Sequence, residues 1–105
     1  EKAGGDRPIL AVVEPTKADC LFESARAGRW TTVGGDLDTI MAGLACGEPS
    51  ELAWALLSPG ADGFIAIPDE RAAEAMRTMA GFGVAAGESG VAGLAGFLAV
   101  ARDPA

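Results

Sequence analysis

The sequence predicts an α/β fold in three layers, with a short parallel sheet covered by helices on both faces. Residues 9–13 and 63–67 are short runs of consecutive apolar side chains, which is typical of strands buried on both sides. Helical patterns follow both runs, and the one at residues 70–80 is strongly amphipathic. Because helices alternate with buried strands along the chain, we expect parallel pairing with right-handed crossovers.

The first half of the chain predicts one strand and two helices. The strand at residues 9–13 is closed by Glu14 and Pro15, and a helix at residues 19–27 ends at Gly28. Asp38 has the side chain of a helix N-cap, so we expect a second helix at residues 39–46.

The next helix begins after Ser50, whose hydroxyl is suited to cap it. A turn is expected at residues 58–60, which read Ser-Pro-Gly. The side chains expected on the broad apolar face of this helix are Leu52, Trp54, Leu56 and Leu57.

The second half of the chain predicts a strand at 63–67, a helix at 70–80 capped by Asp69, and a third short strand at 84–86. The final helix, residues 91–101, is apolar on nearly every side. Such a helix needs neighbours on most of its surface, so we expect the chain to self-associate.

Composition excludes several classes of protein. Half of the 105 residues are apolar and 22% are charged, which is typical of one globular domain. The net charge of -7 and the pI of about 4.3, with no basic cluster, argue against a nucleic-acid partner. No apolar run approaches the roughly 20 residues of a membrane span. Residues 1–7 are polar and glycine-rich, so we expect them to be disordered, and we expect a cytoplasmic protein.

Two glycine-containing segments are the candidates for ligand contact. Gly34-Gly35-Asp36 precedes a predicted helix, where free amides can hold an anion, although the same residues also form ordinary turns. Glu88 lies where a strand should pass into a helix, at the sheet edge that holds ligands in open α/β folds. A carboxylate at a helix start is the alternative explanation for Glu88, and Ser89 is expected to act as an N-cap only.

Three blocks of sequence together resemble one family. They are Glu14-Pro15-Thr16-Lys17-Ala18-Asp19-Cys20, the stretch from Gly34-Gly35-Asp36 through Cys46-Gly47-Glu48-Pro49, and Gly87-Glu88-Ser89-Gly90. In order and spacing they resemble the diaminopropionate ammonia-lyase family of pyridoxal-phosphate enzymes, which are related to threonine dehydratase, threonine synthase and serine racemase. The resemblance covers residues 9–100. It implies a fold-type II, tryptophan synthase beta-like domain, of which residues 1–105 would be one part of the catalytic domain.

The resemblance assigns roles to four residues. Gly43 would lie against the cofactor ring, where a side chain would collide, although packing by a small residue explains this glycine equally well. Glu88 would lie near the edge of the pyridine ring. The two cysteines, Cys20 and Cys46, would form a disulfide as this branch of the family implies, whereas composition alone is consistent with free thiols.

No metal site is expected. Glu14, Ala18 and Asp19 resemble part of a divalent-cation site in the racemase and dehydratase branch, but the position of its later aspartate falls at Cys20 here. A thiolate does not suit a hard cation. Glu14 is therefore expected to meet a helix end or Lys17, and the absence of histidine argues against zinc.

The family implies chemistry that these residues do not complete. Its enzymes need a lysine that binds pyridoxal phosphate and a glycine-rich phosphate loop, and neither Lys2 nor Lys17 has the required context. We therefore expect a part of an enzyme that converts 2,3-diaminopropionate, an amino-acid substrate, to pyruvate and ammonia. The isolated chain is expected to be inactive and to bind no cofactor. The alternatives are a degenerate binding or dimerising module and a piece of a threonine dehydratase-like enzyme.

Overall fold

The computed structural model describes residues 8–102, and the predicted disorder of residues 1–7 lies outside that range. Its sheet has two parallel strands, β1 (Ala11–Pro15) and β2 (Gly63–Ile67). They pair from Ala11 opposite Gly63 to Pro15 opposite Ile67. Strand β1 thus lies two residues further along the chain than predicted, because its pairing follows the five residues of β2.

Four helices accompany the sheet: α1 (Cys20–Ala27), α2 (Glu51–Gly60), α3 (Asp69–Gly81) and α4 (Ala92–Arg102). Gly28 closes α1 as predicted, with a φ of 76° that favours glycine and an amide that donates to carbonyls of the last turn.

The helices cover both faces of the sheet. Alternate side chains of a strand point to opposite faces. Val13 packs against Gly96 of α4, whereas its neighbour Glu14 reaches the start of α1. Helix α3 packs on α4. The predicted three-layer α/β architecture is therefore confirmed, and its core consists of Met41, Ile67, Ala72, Ala75, Val91, Ala92 and Ala95.

The helix predicted at residues 39–46 is wrong. Only a single 3-10 turn forms there, at Ala42–Leu44. Asp38 does not cap it, because the residue at the start of this turn is Met41, and the backbone amide of Asp38 donates to the side chain of Asp36 at 3.0 Å. Side chains elsewhere in the fold and the Thr39 hydroxyl accept hydrogen bonds from backbone amides of this segment, so these amides need no helical partners.

Two other local predictions fail. Residues 84–86 form no strand; the amide of Val84 instead donates to the Met79 carbonyl at 3.0 Å and closes the end of α3. Residues 58–60 are the last turn of α2 rather than a separate turn. Pro59 is tolerated there because it removes only one hydrogen bond near the helix end, while Ala61 still donates to the carbonyl of Leu57 at 2.9 Å.

Helices α2 and α4 expose apolar side chains. Helix α2, which Ser50 caps as predicted, buries none of its residues, and Leu52 is 70% exposed. Phe97 on α4 is 67% exposed. Within residues 8–102, no helix combines the length and apolar character that crossing a bilayer requires.

Candidate active-site edge

The candidate site lies at the carboxyl edge of the sheet, where parallel strands commonly present ligand-binding groups. Strand β2 ends at Ile67, and Asp69 follows it by two residues. The loop that contains the glycine-rich motif comes to this edge, and the turn at residues 87–90 joins it there through Ser89.

Asp69 fixes one end of the loop. Its carboxylate accepts hydrogen bonds from the Thr39 hydroxyl at 2.5 Å and from the Ile40 amide at 3.1 Å. The Met41 amide donates to the Thr39 hydroxyl oxygen at 3.1 Å, and the Met41 side chain is fully buried in the core. Residues 39–41 are therefore attached to the start of α3 by polar contacts and to the core by an apolar one.

Ser89 fixes the loop two residues further on. The Gly43 amide donates to the Ser89 hydroxyl oxygen at 2.9 Å. A Cβ atom at Gly43 would lie 3.0 Å from that oxygen and 3.3 Å from the Ser89 Cβ, closer than ordinary van der Waals contact. The glycine therefore has a packing reason of its own, which was the alternative that the sequence left open.

The structure brings Gly43 to the turn that carries Glu88. Glu88 is adjacent in sequence to Ser89, is exposed, and has no hydrogen-bond or ion-pair partner among residues 8–102. Both predicted cofactor contacts thus lie at one open edge of the sheet. Their roles toward the cofactor remain predictions.

Two side chains act differently from what the sequence predicts. Ser89 does not cap α4, because the helix begins at Ala92 and the Ser89 hydroxyl oxygen is used by Gly43. Asp69 is the first residue of α3 and not its cap, which is Pro68. The signal that could have revealed Asp69 is its place directly after a buried strand, where carboxylates commonly serve a site.

Glu14 caps the start of α1, as the sequence predicted for a helix end. Its buried carboxylate accepts hydrogen bonds from the amides of Phe22 at 2.8 Å and Leu21 at 3.1 Å, and from the Cys20 thiol at 3.7 Å. Burial raises the pKa of Glu14, and the two amide hydrogen bonds oppose that rise only in part. Within residues 8–102 no cluster of acidic, cysteine or histidine side chains is arranged to hold a metal.

Both cysteines are free thiols in this structure. Cys20 is buried, and burial is the main cause that raises its pKa to about 12, with the negative charge of Glu14 adding to it. Cys46 is exposed, and its thiol donates to the Glu48 carbonyl at 3.1 Å. The disulfide that the resemblance implies remains a prediction.

These residues fit one side of a pyridoxal-phosphate site and not a whole one. The edge offers an exposed backbone at Gly43, which packs on Ser89, and an exposed carboxylate at Glu88. The one lysine within residues 8–102, Lys17, is exposed in the turn after β1 and contacts neither residue. An apolar groove of about 560 Å³ lies elsewhere, between the sheet and α4, and is lined by residues such as Val13 and Phe97.

Comparisons with known proteins agree with this architecture. The profile of the family described as pyridoxal-phosphate dependent enzyme matches residues 1–104. A diaminopropionate ammonia-lyase of Escherichia coli K12 is 46% identical over an alignment of 98 residues, and the match covers 89% of this chain and 25% of the relative. The Salmonella typhimurium LT2 enzyme of the same name is 44% identical over an alignment of 82 residues, and the match covers 76% of this chain and 20% of the relative.

Solved structures give the same result for the fold. A threonine deaminase from T.th. superposes with a TM-score of 0.80 at 25% identity, covering 91% of this chain and 34% of the other. Maize serine racemase has a TM-score of 0.77 at 29% identity, covering 84% of this chain and 27% of the other. The chain thus spans about a quarter of the length of the curated relatives it matches.

Proposed function

The chain belongs to the pyridoxal-phosphate dependent enzyme family, and from this premise we propose that it is part of a diaminopropionate ammonia-lyase. The observation that carries the proposal is the 46% identity to such an enzyme over 89% of the chain. The complete enzyme would convert 2,3-diaminopropionate and water to pyruvate and two molecules of ammonia. The lysine and the phosphate-binding loop would come from the remainder of that enzyme.

In the complete enzyme, Gly43 and Glu88 would form the side of the site that faces the cofactor ring. When bound, pyridoxal phosphate supplies an electron sink for the reacting amino acid. The role of this chain's own residues is to orient that cofactor. Gly43 packs on the Ser89 side chain and is otherwise exposed, so a flat ring can approach its backbone from the solvent side. The exposed carboxylate of Glu88, which has no partner among residues 8–102, is available to a polar group at the ring edge.

The isolated chain is proposed to be inactive and to bind no cofactor by itself. With 2,3-diaminopropionate and added pyridoxal phosphate, the purified chain should release no pyruvate above a blank without protein. Robust turnover would refute the proposal that groups other than residues 1–105 are needed. A cytoplasmic location is proposed with this function.

A chimera tests the proposed activity directly. In the Escherichia coli enzyme, the matched segment is replaced by the corresponding residues of this chain, and pyruvate release is measured with 2,3-diaminopropionate, threonine and serine. We expect 2,3-diaminopropionate to be the preferred substrate. Preference for threonine would support the threonine dehydratase-like alternative, and a folded chimera that binds the cofactor but uses none of the three would contradict the proposal.

Matched glycine variants of the chimera locate the site. Gly43→Ala should lower kcat/KM on the order of 100-fold, because a displacement of about 1 Å at a reacting centre can have such an effect. Gly81→Ala is the control, since Gly81 is exposed at the end of α3 and a Cβ there would meet nothing within 4 Å. Equal activity of the two variants would place the site away from Gly43.

A second candidate function, a stand-alone binding or dimerising module, is supported by the exposed apolar side chains of Leu52, Leu56 and Phe97. Under this proposal the isolated chain self-associates through these surfaces. Light scattering over a dilution series should show an average mass above that of one chain, and a monomer at all concentrations would contradict it.

A further inference from the structure

Segment 39–43 cannot hold its own position by regular secondary structure. It contains only the start of the 3-10 turn at Ala42–Leu44, and such turns are weak when isolated. Exposed residues alternate with buried ones: Thr39 and Met41 are buried, whereas Ile40 and Gly43 are exposed. The orientation of Gly43 must therefore be set by contacts with other parts of the chain.

Two side chains supply those contacts, one from the start of a helix and one from a turn. Asp69 at the start of α3 binds the Thr39 hydroxyl and the Ile40 amide. Ser89, in the turn before α4, accepts the Gly43 amide at 2.9 Å. The segment is thus held at both ends, and both contacts come from residues distant in the sequence.

The Ser89 contact is specific in its geometry. The hydroxyl oxygen lies 3.0 Å from where a Cβ of Gly43 would be, so the two residues approach each other only because one of them is glycine. The hydroxyl is not needed by α4, whose nearby contact from Ala92 goes to the Ser89 backbone carbonyl at 3.3 Å. The Ser89 hydroxyl therefore serves the Gly43 contact.

We infer that Ser89 is a positioning residue, which holds the Gly43 backbone in the orientation that presents it to the cofactor ring, with Asp69 fixing the far end of the segment. This inference rests on the proposed function, in which Gly43 lies against that ring. Ser89 itself touches no reacting atom; it acts through Gly43. Glu88, next to it in sequence, is placed at the same edge by the same turn.

The first test measures amide hydrogen exchange by NMR in the 105-residue chain, without cofactor. Ser89→Ala should raise the exchange rate of the Gly43 amide roughly three- to tenfold, the range expected for losing one intramolecular hydrogen bond. Ser89→Thr, which keeps the hydroxyl, should restore protection. The Ile40 amide, held by Asp69, serves as the internal reference and should be unchanged.

Three results would overturn the inference. They are an unchanged Gly43 rate in Ser89→Ala, failure of Ser89→Thr to restore it, and an equal rise at Ile40, which would indicate general loosening. If Ser89→Ala does not fold, the temperature coefficient of the Gly43 amide proton shift in the unaltered chain shows whether this amide is hydrogen-bonded. A hydrogen-bonded amide gives a small coefficient, and the large coefficient of a solvated amide would contradict the contact.

The second test uses the chimera and separates this inference from the proposed function. Ser89→Ala should lower kcat roughly tenfold by misplacing Gly43 and should change the absorption spectrum of the bound cofactor, with both restored in Ser89→Thr. Ser58→Ala, an exposed serine on α2, is the matched control. An inactive parent chimera would defeat the proposed function alone, whereas an active chimera indifferent to Ser89→Ala would defeat the inference alone.

Discussion

Replacing Gly96 by alanine should destabilise the fold, because α4 meets β1 at this glycine. A Cβ at Gly96 would lie 2.6 Å from Val13 Cγ2 and 3.0 Å from Val13 Cγ1. Overpacking of a core by one carbon typically costs about 1–3 kcal/mol, and alanine returns up to about 1 kcal/mol through its higher helix propensity. Valine is stiff at χ1, so Val13 cannot rotate away cheaply. We expect a net loss of about 1–2 kcal/mol.

The assay is thermal unfolding followed by circular dichroism, and the expected fall in Tm is about 5–10 °C for a domain of this size. Gly93→Ala in the same helix is the matched control, because a Cβ there would meet nothing within 4 Å. It should leave Tm unchanged or raise it slightly. In a double-mutant cycle, Val13→Ala should remove most of the penalty of Gly96→Ala. A Gly96→Ala chain as stable as Gly93→Ala would refute the close packing of α4 on β1.

Four further predictions concern other contacts. The pKa of Glu14 in the folded chain lies above its ordinary value of 4.5, so the folded chain binds the carboxyl proton more tightly than the unfolded chain does. The free energy of unfolding should therefore fall as pH rises from the ordinary pKa through the raised one. Glu14→Gln should remove this decline in melts between about pH 4 and about pH 7, and an identical pH profile for both chains would contradict it. Iodoacetamide should modify exposed Cys46 well before buried Cys20, as read by peptide mass mapping, and equal rates would contradict the burial of Cys20. Mild oxidation should join the two cysteines and stabilise the chain by about 3 kcal/mol, and the recovery of only unlinked peptides would count against the disulfide. Ser50→Ala should destabilise the chain by about 1 kcal/mol in urea unfolding through loss of the α2 cap, while no change relative to Ser58→Ala would show the cap to be dispensable.

Elements with strong local signals were predictable from sequence. The apolar run of β2 is found at the predicted residues, Gly63–Ile67, because a continuous apolar pentapeptide between a glycine and a proline has few alternatives. Helix α3 follows from its amphipathic pattern, and Gly28 closes α1 because only a residue tolerant of positive φ fits there. In each case the determining residues are neighbours in the chain.

The failures occur where distant residues decide. Residues 39–46 have a plausible cap and helix formers, but Asp69 and Ser89 satisfy the loop from 30 and 46 residues away, so helical hydrogen bonds are replaced. No periodicity reveals such contacts. Residues 84–86 are apolar and short, which fits a strand, yet within residues 8–102 no third strand pairs with the sheet.

The site was predictable in part for the same reason. Motif resemblance located Gly43 and Glu88, and the structure attaches the Gly43 loop to the turn that carries Glu88. For the two residues that make this attachment, Asp69 and Ser89, the sequence predicts helix caps, because Ser and Asp before a helix are usually caps. Three-dimensional contacts were needed to show that both side chains hold the loop instead.

A crystal structure of the chimera with bound pyridoxal phosphate tests the placement of this edge most directly. We predict density for the cofactor with its ring within about 4 Å of the Gly43 backbone and with the Glu88 carboxylate at the ring edge. Density for a cofactor that touches neither residue, in a chimera whose Gly43 loop is folded as described, would contradict the assignment.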